Sequence, residues 1–398
     1  MTRKHKARLI LMLGALSAVS PLSIDMYLPG FQQIANDFHT TVAEIGLTLS
    51  SYFFGISIGQ LVYGPLLERF GRKPPLLFGL TLYLVASVGC ALAPSLEWLI
   101  AMRFLQAFGG CVGIVAGRAV VRDLFPVSEI ARIFSFLILV MGVAPIVAPT
   151  IGGLVVANLG WRAIFYIIGG FALALMVAFG AFFTESKPAD PRVSLRPGPI
   201  LAGYREVLTH PQFVLFTLAS ALASAGLFAY ITSAPAVFME QYGLTTQQFG
   251  WFFGVNALGF ISGSQLNRFW LKYSSSPRIA LLMAGVQFTG ALLLILLAAF
   301  GWLPFWAAAP FMFLHLFSLG LITPNTTATA LGGIEKGIGN ASALIGFTQM
   351  AASALASGLI SQFSNKTIFP MAGAMLLFAA GCFAILVYYR KTLRFSTV

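Results

Sequence analysis

Phe53-Phe54-Gly55, then Gly64, then Leu67-Glu68-Arg69-Phe70, returns later in the chain as Phe252-Phe253-Gly254, Gly263 and Leu266-Asn267-Arg268-Phe269. Phe53 and Phe252 are 199 positions apart, and so are Arg69 and Arg268. An offset that holds across both an apolar run and the charged turn that ends it separates a repeat from chance likeness of short apolar strings. Pro29 and Pro235 likewise close the first apolar run of each half. Parallel repeats of six spans are a transporter architecture, with substrate bound near the midplane between the halves.

The composition agrees. Of 398 residues, 58% are hydrophobic and 9% charged, with a mean hydropathy of +0.87, whereas soluble domains carry about 25% charged residues. A membrane helix needs about 20 apolar residues. Twelve such runs occur, at 7–28, 44–67, 75–94, 97–120, 130–156, 160–183, 211–236, 246–270, 277–300, 303–325, 338–363 and 367–389. The expected fold is an all-α integral membrane protein with twelve transmembrane helices in two six-helix bundles. Segment 184–210, rich in Pro, Arg and Ser, reads as a flexible cytoplasmic linker. It divides the chain into 1–183, 184–210 and 211–398.

The net charge of +12 does not indicate nucleic acid, because Lys and Arg gather in alternate connections, as the positive-inside rule requires. One side receives the N-terminus, Arg69, Arg72, Lys73, Arg122, Lys187, Arg192, Arg196, Arg205, Arg268, Lys272, Arg278, Lys336, Arg390, Lys391 and Arg394. The other receives Arg162 and Lys366 alongside Asp37, Glu44, Glu97 and Glu240. Both termini are therefore expected in the cytoplasm. The basic start followed by apolar sequence reads as a first span, not a cleaved leader, since it lacks an A-x-A site. Cys90, Cys111 and Cys382 lie within apolar runs without metal-ligand spacing, so no disulfide, metal or cofactor is expected.

Asp25, in Ser23-Ile24-Asp25-Met26-Tyr27-Leu28-Pro29, is the acid set deep in an apolar run. A carboxylate there costs roughly 3 kcal/mol on insertion scales and marks a functional site by default. Rise per residue places it about 25 Å in from the cytoplasmic side, and places Arg103 about 7 Å below the outer surface. The two fall at similar depth. Pairing across an interior cavity would relieve both costs, either as a proton switch or as a permanent structural ion pair. Arg118, at the cytoplasmic edge, reads as a snorkelling side chain.

Three further constellations stand out. The turn Gly64-Pro65-Leu66-Leu67-Glu68-Arg69-Phe70-Gly71-Arg72-Lys73-Pro74 has Gly64 for close helix approach and Glu68 for a neighbouring helix N-terminus. In the same turn Arg72 is within reach of Asp123. Pro145, Pro149, Gly152 and Gly153 bend or thin the fifth span, as a hinge or as ordinary membrane-helix tolerance. The second half holds no buried acid. Its polar marks are Tyr230, Ser233, Asn256, His315, Asn325 and Gln349, with Phe228, Phe252, Phe253 and Phe311 as aromatics. A polyspecific pocket is mostly apolar with few polar groups, so Tyr27, Tyr230, Asn256 and Phe253 are the substrate candidates. Packed or lipid-facing roles are the alternative for each.

The 64–74 turn resembles the signature loop of the major facilitator superfamily, with Glu68 where Asp is usual. Leu99-x-x-x-Arg103-x-x-Gln106 resembles that family's fourth-span motif, whose arginine is implicated in proton transfer, with Ala107 in place of Gly. The Gly142, Pro145, Ala148, Pro149, Gly152, Gly153 pattern resembles the fifth-span motif of antiporters. Asp25-Met26-Tyr27-Leu28-Pro29 with Arg122-Asp123 is most similar to the Bcr/CflA group of bacterial drug:proton antiporters. The resemblance implies a twelve-span, inner-membrane, proton-coupled multidrug efflux antiporter working as a monomer on small drug-like molecules. It assigns proton coupling to Asp25 and Arg103, and gating to Gly64, Glu68, Arg69, Gly71, Arg72 and Asp123. Some related antiporters carry a second acid two turns before the first. Ser17 stands there, which favours neutral or zwitterionic substrates. The rivals are a dedicated metabolite exporter or proton symporter on the same fold, a channel, and a membrane enzyme, the last lacking any intramembrane His/Asp or Ser/His set.

Overall fold

The computed structural model describes residues 3–301, 303–334, 337–363 and 367–392. Lys336, Lys366 and Arg394, used above for orientation, lie outside them. Fourteen α-helices follow in order: α1 (Arg3–Asp25), α2 (Phe31–Asp37), α3 (Val42–Phe70), α4 (Lys73–Ala91), α5 (Leu96–Leu124), α6 (Val127–Leu159), α7 (Trp161–Phe182), α8 (Pro197–Leu208), α9 (Pro211–Ala234), α10 (Thr246–Trp270), α11 (Ser276–Ala299), α12 (Phe305–Gly332), α13 (Ile338–Ile360) and α14 (Phe369–Thr392). Among the described residues there is no strand. All but the short α2 and α8 match the twelve expected spans. Eleven of those twelve helices are long and apolar enough to cross a membrane. The other, α10, is diluted by Gln247, Gln248, Asn256, Gln265 and Asn267, yet its 25 residues reach about 37 Å.

The chain forms two compact units. One holds Met1–His39 and Ser51–Leu201, the other Thr40–Ser50 and Ala202–Val398. The break at Leu201 falls inside the 184–210 linker, and the first turns of α3 group with the second unit. The linker is less free than its composition suggests. It contains α8, whose Tyr204 and Val207 are buried, and Gly203 lies close against the Asn340 side chain of α13.

Prolines set the ends of the first span of each half. Pro29 is the central residue of a single 3-10 turn, Leu28–Gly30, after α1. Pro235 opens a π-helical stretch, Pro235–Gln241, after α9, closed by the Tyr242 amide donating to the Val237 carbonyl at 3.1 Å. A proline lacks the N–H that would continue the α ladder.

Helices in the first unit approach closely where side chains are small. A Cβ on Gly55 would lie 2.5 Å from the Phe104 carbonyl oxygen and 2.9 Å from the Ala107 Cβ. The alanine that replaces the motif glycine in α5 thus meets a glycine on α3. Gly64 does not play the close-approach role expected of it. Among the described residues no atom lies within 4 Å of a Cβ built there, because α3 meets α5 earlier, at Gly55 and at Gly59 against Cys111.

Candidate functional site

Asp25 is the last residue of α1 and is 4% exposed. The helix ends there because the chain turns through Met26 and Tyr27 into the Leu28–Gly30 turn. Among the described residues it has no ion-pair partner. α6 presses on this turn. A Cβ on Gly152 would sit 2.2 Å from the Met26 carbonyl oxygen, so only glycine lets α6 contact the backbone beside the acid. Gly153 and Pro149 are buried and Pro145 is half-buried, all within α6.

Arg103, on α5, is fully buried. It does not pair with Asp25, contrary to the expectation from depth. Its Nη1 donates to Gln106 Oε1 at 2.6 Å, one helical turn on. Its guanidinium lies 4.3 Å from the Tyr52 ring centre, 4.7 Å from Tyr27 and 5.7 Å from Phe165. Three aromatic faces thus take the place of a carboxylate as the stabilising environment for the cation. Its Nε and Nη2 have no hydrogen-bond partner among the described residues. Rise along the axis gives the height of a buried charge but not the direction in which it points, and these aromatics fill the space the acid was expected to occupy.

A polar chain continues from the arginine. Gln106 Nε2 donates to Ser87 Oγ at 2.8 Å, and Ser87 Oγ donates to the Tyr83 carbonyl at 2.7 Å. The Tyr83 hydroxyl meets Ser23 Oγ at 2.5 Å, two residues from Asp25. Tyr52, Tyr83, Ser87, Phe165 and Ser23 were not singled out from the sequence. The signal that reaches them is Gln106, whose amide must find partners when buried. Tyr27 is fully buried, packed on Phe31 and Phe165 at 5.0 and 5.4 Å between ring centres. Its ring serves Arg103 rather than an open surface.

Of the residues to which the resemblance assigns gating, Glu68, Gly71, Arg72 and Asp123 come together at the other end of this unit. Arg72, 2% exposed, donates from Nε to Asp123 Oδ2 at 2.7 Å and from Nη2 to Glu68 Oε1 at 3.0 Å. Burial works against its charge, but the hydrogen bond and field of Asp123, with those of Glu68, outweigh it and hold the guanidinium above its ordinary pKa. Lys187 pairs with Glu68. Glu185 accepts from the amides of Arg72 and Lys73 at 2.8 and 3.0 Å, a carboxylate on the free N–H groups of the α4 N-terminus. The expectation gave that position to Glu68; the linker's Glu185 fills it. Gly71 has φ +82°, and a Cβ there would lie 2.7 Å from Glu185 Oε2, so conformation and space both require glycine. Arg69 turns away from this cluster and donates to the Pro191 and Val193 carbonyls, the latter at 2.8 Å.

In the second unit, Asn256 Nδ2 donates to the Tyr230 hydroxyl at 2.9 Å, and the Tyr230 and Phe253 rings stack at 5.9 Å. Three substrate candidates thus form one buried cluster. Gln349 donates to Ser220 Oγ at 2.6 Å, Asn325 to Asn267 Oδ1 at 2.5 Å, and His315 Nε2 lies 3.2 Å from Gln287 Nε2. Phe311 instead lines an outer groove beside Arg278. No cluster of metal-ligating side chains occurs among the described residues.

Two units of long apolar helices, with buried charge in the first and neutral polar clusters in the second, define a multi-pass membrane protein of the transporter type. The family model described as Major Facilitator Superfamily matches residues 13–357. The chain is 34% identical over 385 residues to "Uncharacterized MFS-type transporter YdgK" of Bacillus subtilis (strain 168), covering 95% of this chain and 94% of that one. It is 33% identical over 391 residues to "Bicyclomycin resistance protein homolog" of Haemophilus influenzae (strain ATCC 51907 / DSM 11121 / KW20 / Rd), covering 97% and 96%. The crystal structure of a bacterial homolog to the human lysosomal transporter Spinster, in inward-facing and occupied conformation, shares the fold. Its TM-score is 0.72 at 15% identity, over 99% of this chain and 98% of that one. The chain belongs to the major facilitator superfamily, and its relatives place it beside the Bcr/CflA group.

Proposed function

We propose that the protein exports small drug-like molecules in exchange for protons, by alternating access, from the inner membrane of a bacterium, as a monomer with both termini in the cytoplasm. The observation that carries this reading is Asp25: a buried carboxyl with no described counter-ion, at the helix end where Gly152 of α6 rests on the adjoining carbonyl. A charge is costly at that site and a neutral acid is not, so gain and loss of one proton changes what the α1–α6 contact must tolerate. Arg103 supplies a fixed positive charge in the same unit, with Nε and Nη2 free of hydrogen bonds among the described residues. Protons enter as a drug molecule leaves, and the coupling needs no other cofactor.

Asn256, Tyr230 and Phe253 supply an apolar, aromatic surface with one amide and one hydroxyl, suited to uncharged or zwitterionic compounds. The name of the Haemophilus relative, a bicyclomycin resistance protein homolog, supports that class. The test is drug efflux from proteoliposomes under an imposed pH gradient, with wild type beside Asp25→Asn across a panel of unrelated compounds. The variant should show no pH-driven efflux while still binding drug. Full pH-driven activity in the variant would overturn the assignment. A single tightly bound compound in the wild type would favour a dedicated metabolite transporter.

A further inference from the structure

The second unit carries a feature that export does not use. A groove of about 1190 Å³ runs between α11, α12 and α14. Its walls are apolar, with Leu282, Phe288 and Leu293 from α11, Phe311 and Leu314 from α12, and Phe383 from α14. Two glycines deepen it. A Cβ at Gly285 would lie 3.3 Å from the Phe383 ring, and one at Gly290 would lie 3.4 Å from Leu314. Leu282 and Leu293 remain 58% and 46% exposed, so in a bilayer the trough opens to acyl chains.

One end differs from the rest. Arg278, in the first turn of α11, and Arg390, in the last turn of α14, both line it. Both are exposed, and neither has an acidic partner among the described residues. From Arg278 to Leu293 the helix rises about 22 Å. Half of a bilayer, headgroups included, is about 21 Å. The arginines therefore sit at headgroup level when the far end of the trough is at the membrane centre.

We infer that this groove holds one anionic glycerophospholipid of the leaflet on the basic side, with its phosphodiester between Arg278 and Arg390 and its chains along α11. Guanidinium groups bind phosphate through paired N–H donors, and basic pockets between membrane helices select anionic headgroups. The apolar trough supplies affinity common to any lipid, and the arginine pair supplies the choice of headgroup.

Native mass spectrometry of the full chain in detergent tests this, with phosphatidylglycerol titrated against phosphatidylcholine of the same chains. One phosphatidylglycerol should be retained at about tenfold lower concentration than phosphatidylcholine, which has the same phosphodiester but adds a choline cation that cancels its net charge and is repelled by the two guanidinium groups. The double variant Arg278→Gln/Arg390→Gln should lose that preference, and Leu282→Trp, which fills the trough beneath intact arginines, should weaken both lipids. All three substitutions are at exposed positions, and unfolding midpoints close to wild type check that the variants are folded. Equal retention of the two lipids by wild type, or a preference that survives the double variant, would overturn the inference. So would competition by chain-free glycerol 1-phosphate as effective as that by phosphatidylglycerol, which would mark a simple phosphate site.

Discussion

The turn after α3 and the turn after α10 descend from the same stretch of the repeat, and they are held in different ways. In the first unit Glu68, Arg72 and Asp123 form an ionic cluster, with Arg72 2% exposed. In the second, Asn267 stands at the position of Glu68 and accepts from Asn325 at 2.5 Å, so an amide pair replaces a network of charges. The contrast extends through both cores. Asp25, Arg72 and Arg103 are buried in the first unit, while the buried polar groups of the second are hydroxyls, amides and His315. A buried charge that loses its partner costs several kcal/mol, whereas a neutral hydrogen bond contributes about one. The first unit is thus built so that one proton or one ion pair matters, and the second so that polar contacts can be exchanged cheaply. That division suits coupling in one half and accommodation of varied molecules in the other.

Four substitutions set the halves against each other. Asp123→Ala leaves the buried Arg72 with Glu68 alone and should cost about 3 kcal/mol in denaturant unfolding of the protein in micelles. A loss below that of an ordinary hydrogen bond would show that the ionic cluster does not hold the first unit. Gly263→Ala places a Cβ 2.2 Å from the Phe317 carbonyl oxygen and should cost about 2 kcal/mol through overpacking. Its repeat partner Gly64→Ala meets open space and should be neutral or gain a few tenths of a kcal/mol from helix propensity, to roughly 1 kcal/mol at most. Equal costs for the two glycines would erase the distinction between the α3 and α10 packing seams. Asn325→Ala should cost about 1 kcal/mol, and a cost equal to that of Asp123→Ala would show that amides and charges carry the same weight here.

The twelve spans, the repeat and the Arg72–Asp123 contact could be read from residue types and spacing alone. The surroundings of Arg103 could not. A helix packed among helices and lipid is apolar on nearly every side, so periodicity does not show that Tyr52 of α3 and Phe165 of α7 turn toward α5. Residue type alone does not separate Gly64, which meets nothing among the described residues, from its repeat partner Gly263, which does touch a neighbouring backbone. The repeat conserves the residue type across halves but not the seam it serves. α8 was hidden by its Pro, Gly and Arg content, which marks a linker; what orders it is tertiary, the burial of Tyr204 and Val207. Glu185 lay in that same linker, and its role depends on α4 beginning directly beneath it.

The crossing peptide is pinned near both of its ends. Arg69 grips the Pro191 and Val193 carbonyls, and Tyr204 is sunk into the second unit. With α8 wound, the reach from Val193 to Tyr204 is about 25 Å; fully drawn out it is about 38 Å. That length is set by α8 and by the grip of Arg69, so drawing the peptide out must first unravel the one or break the other.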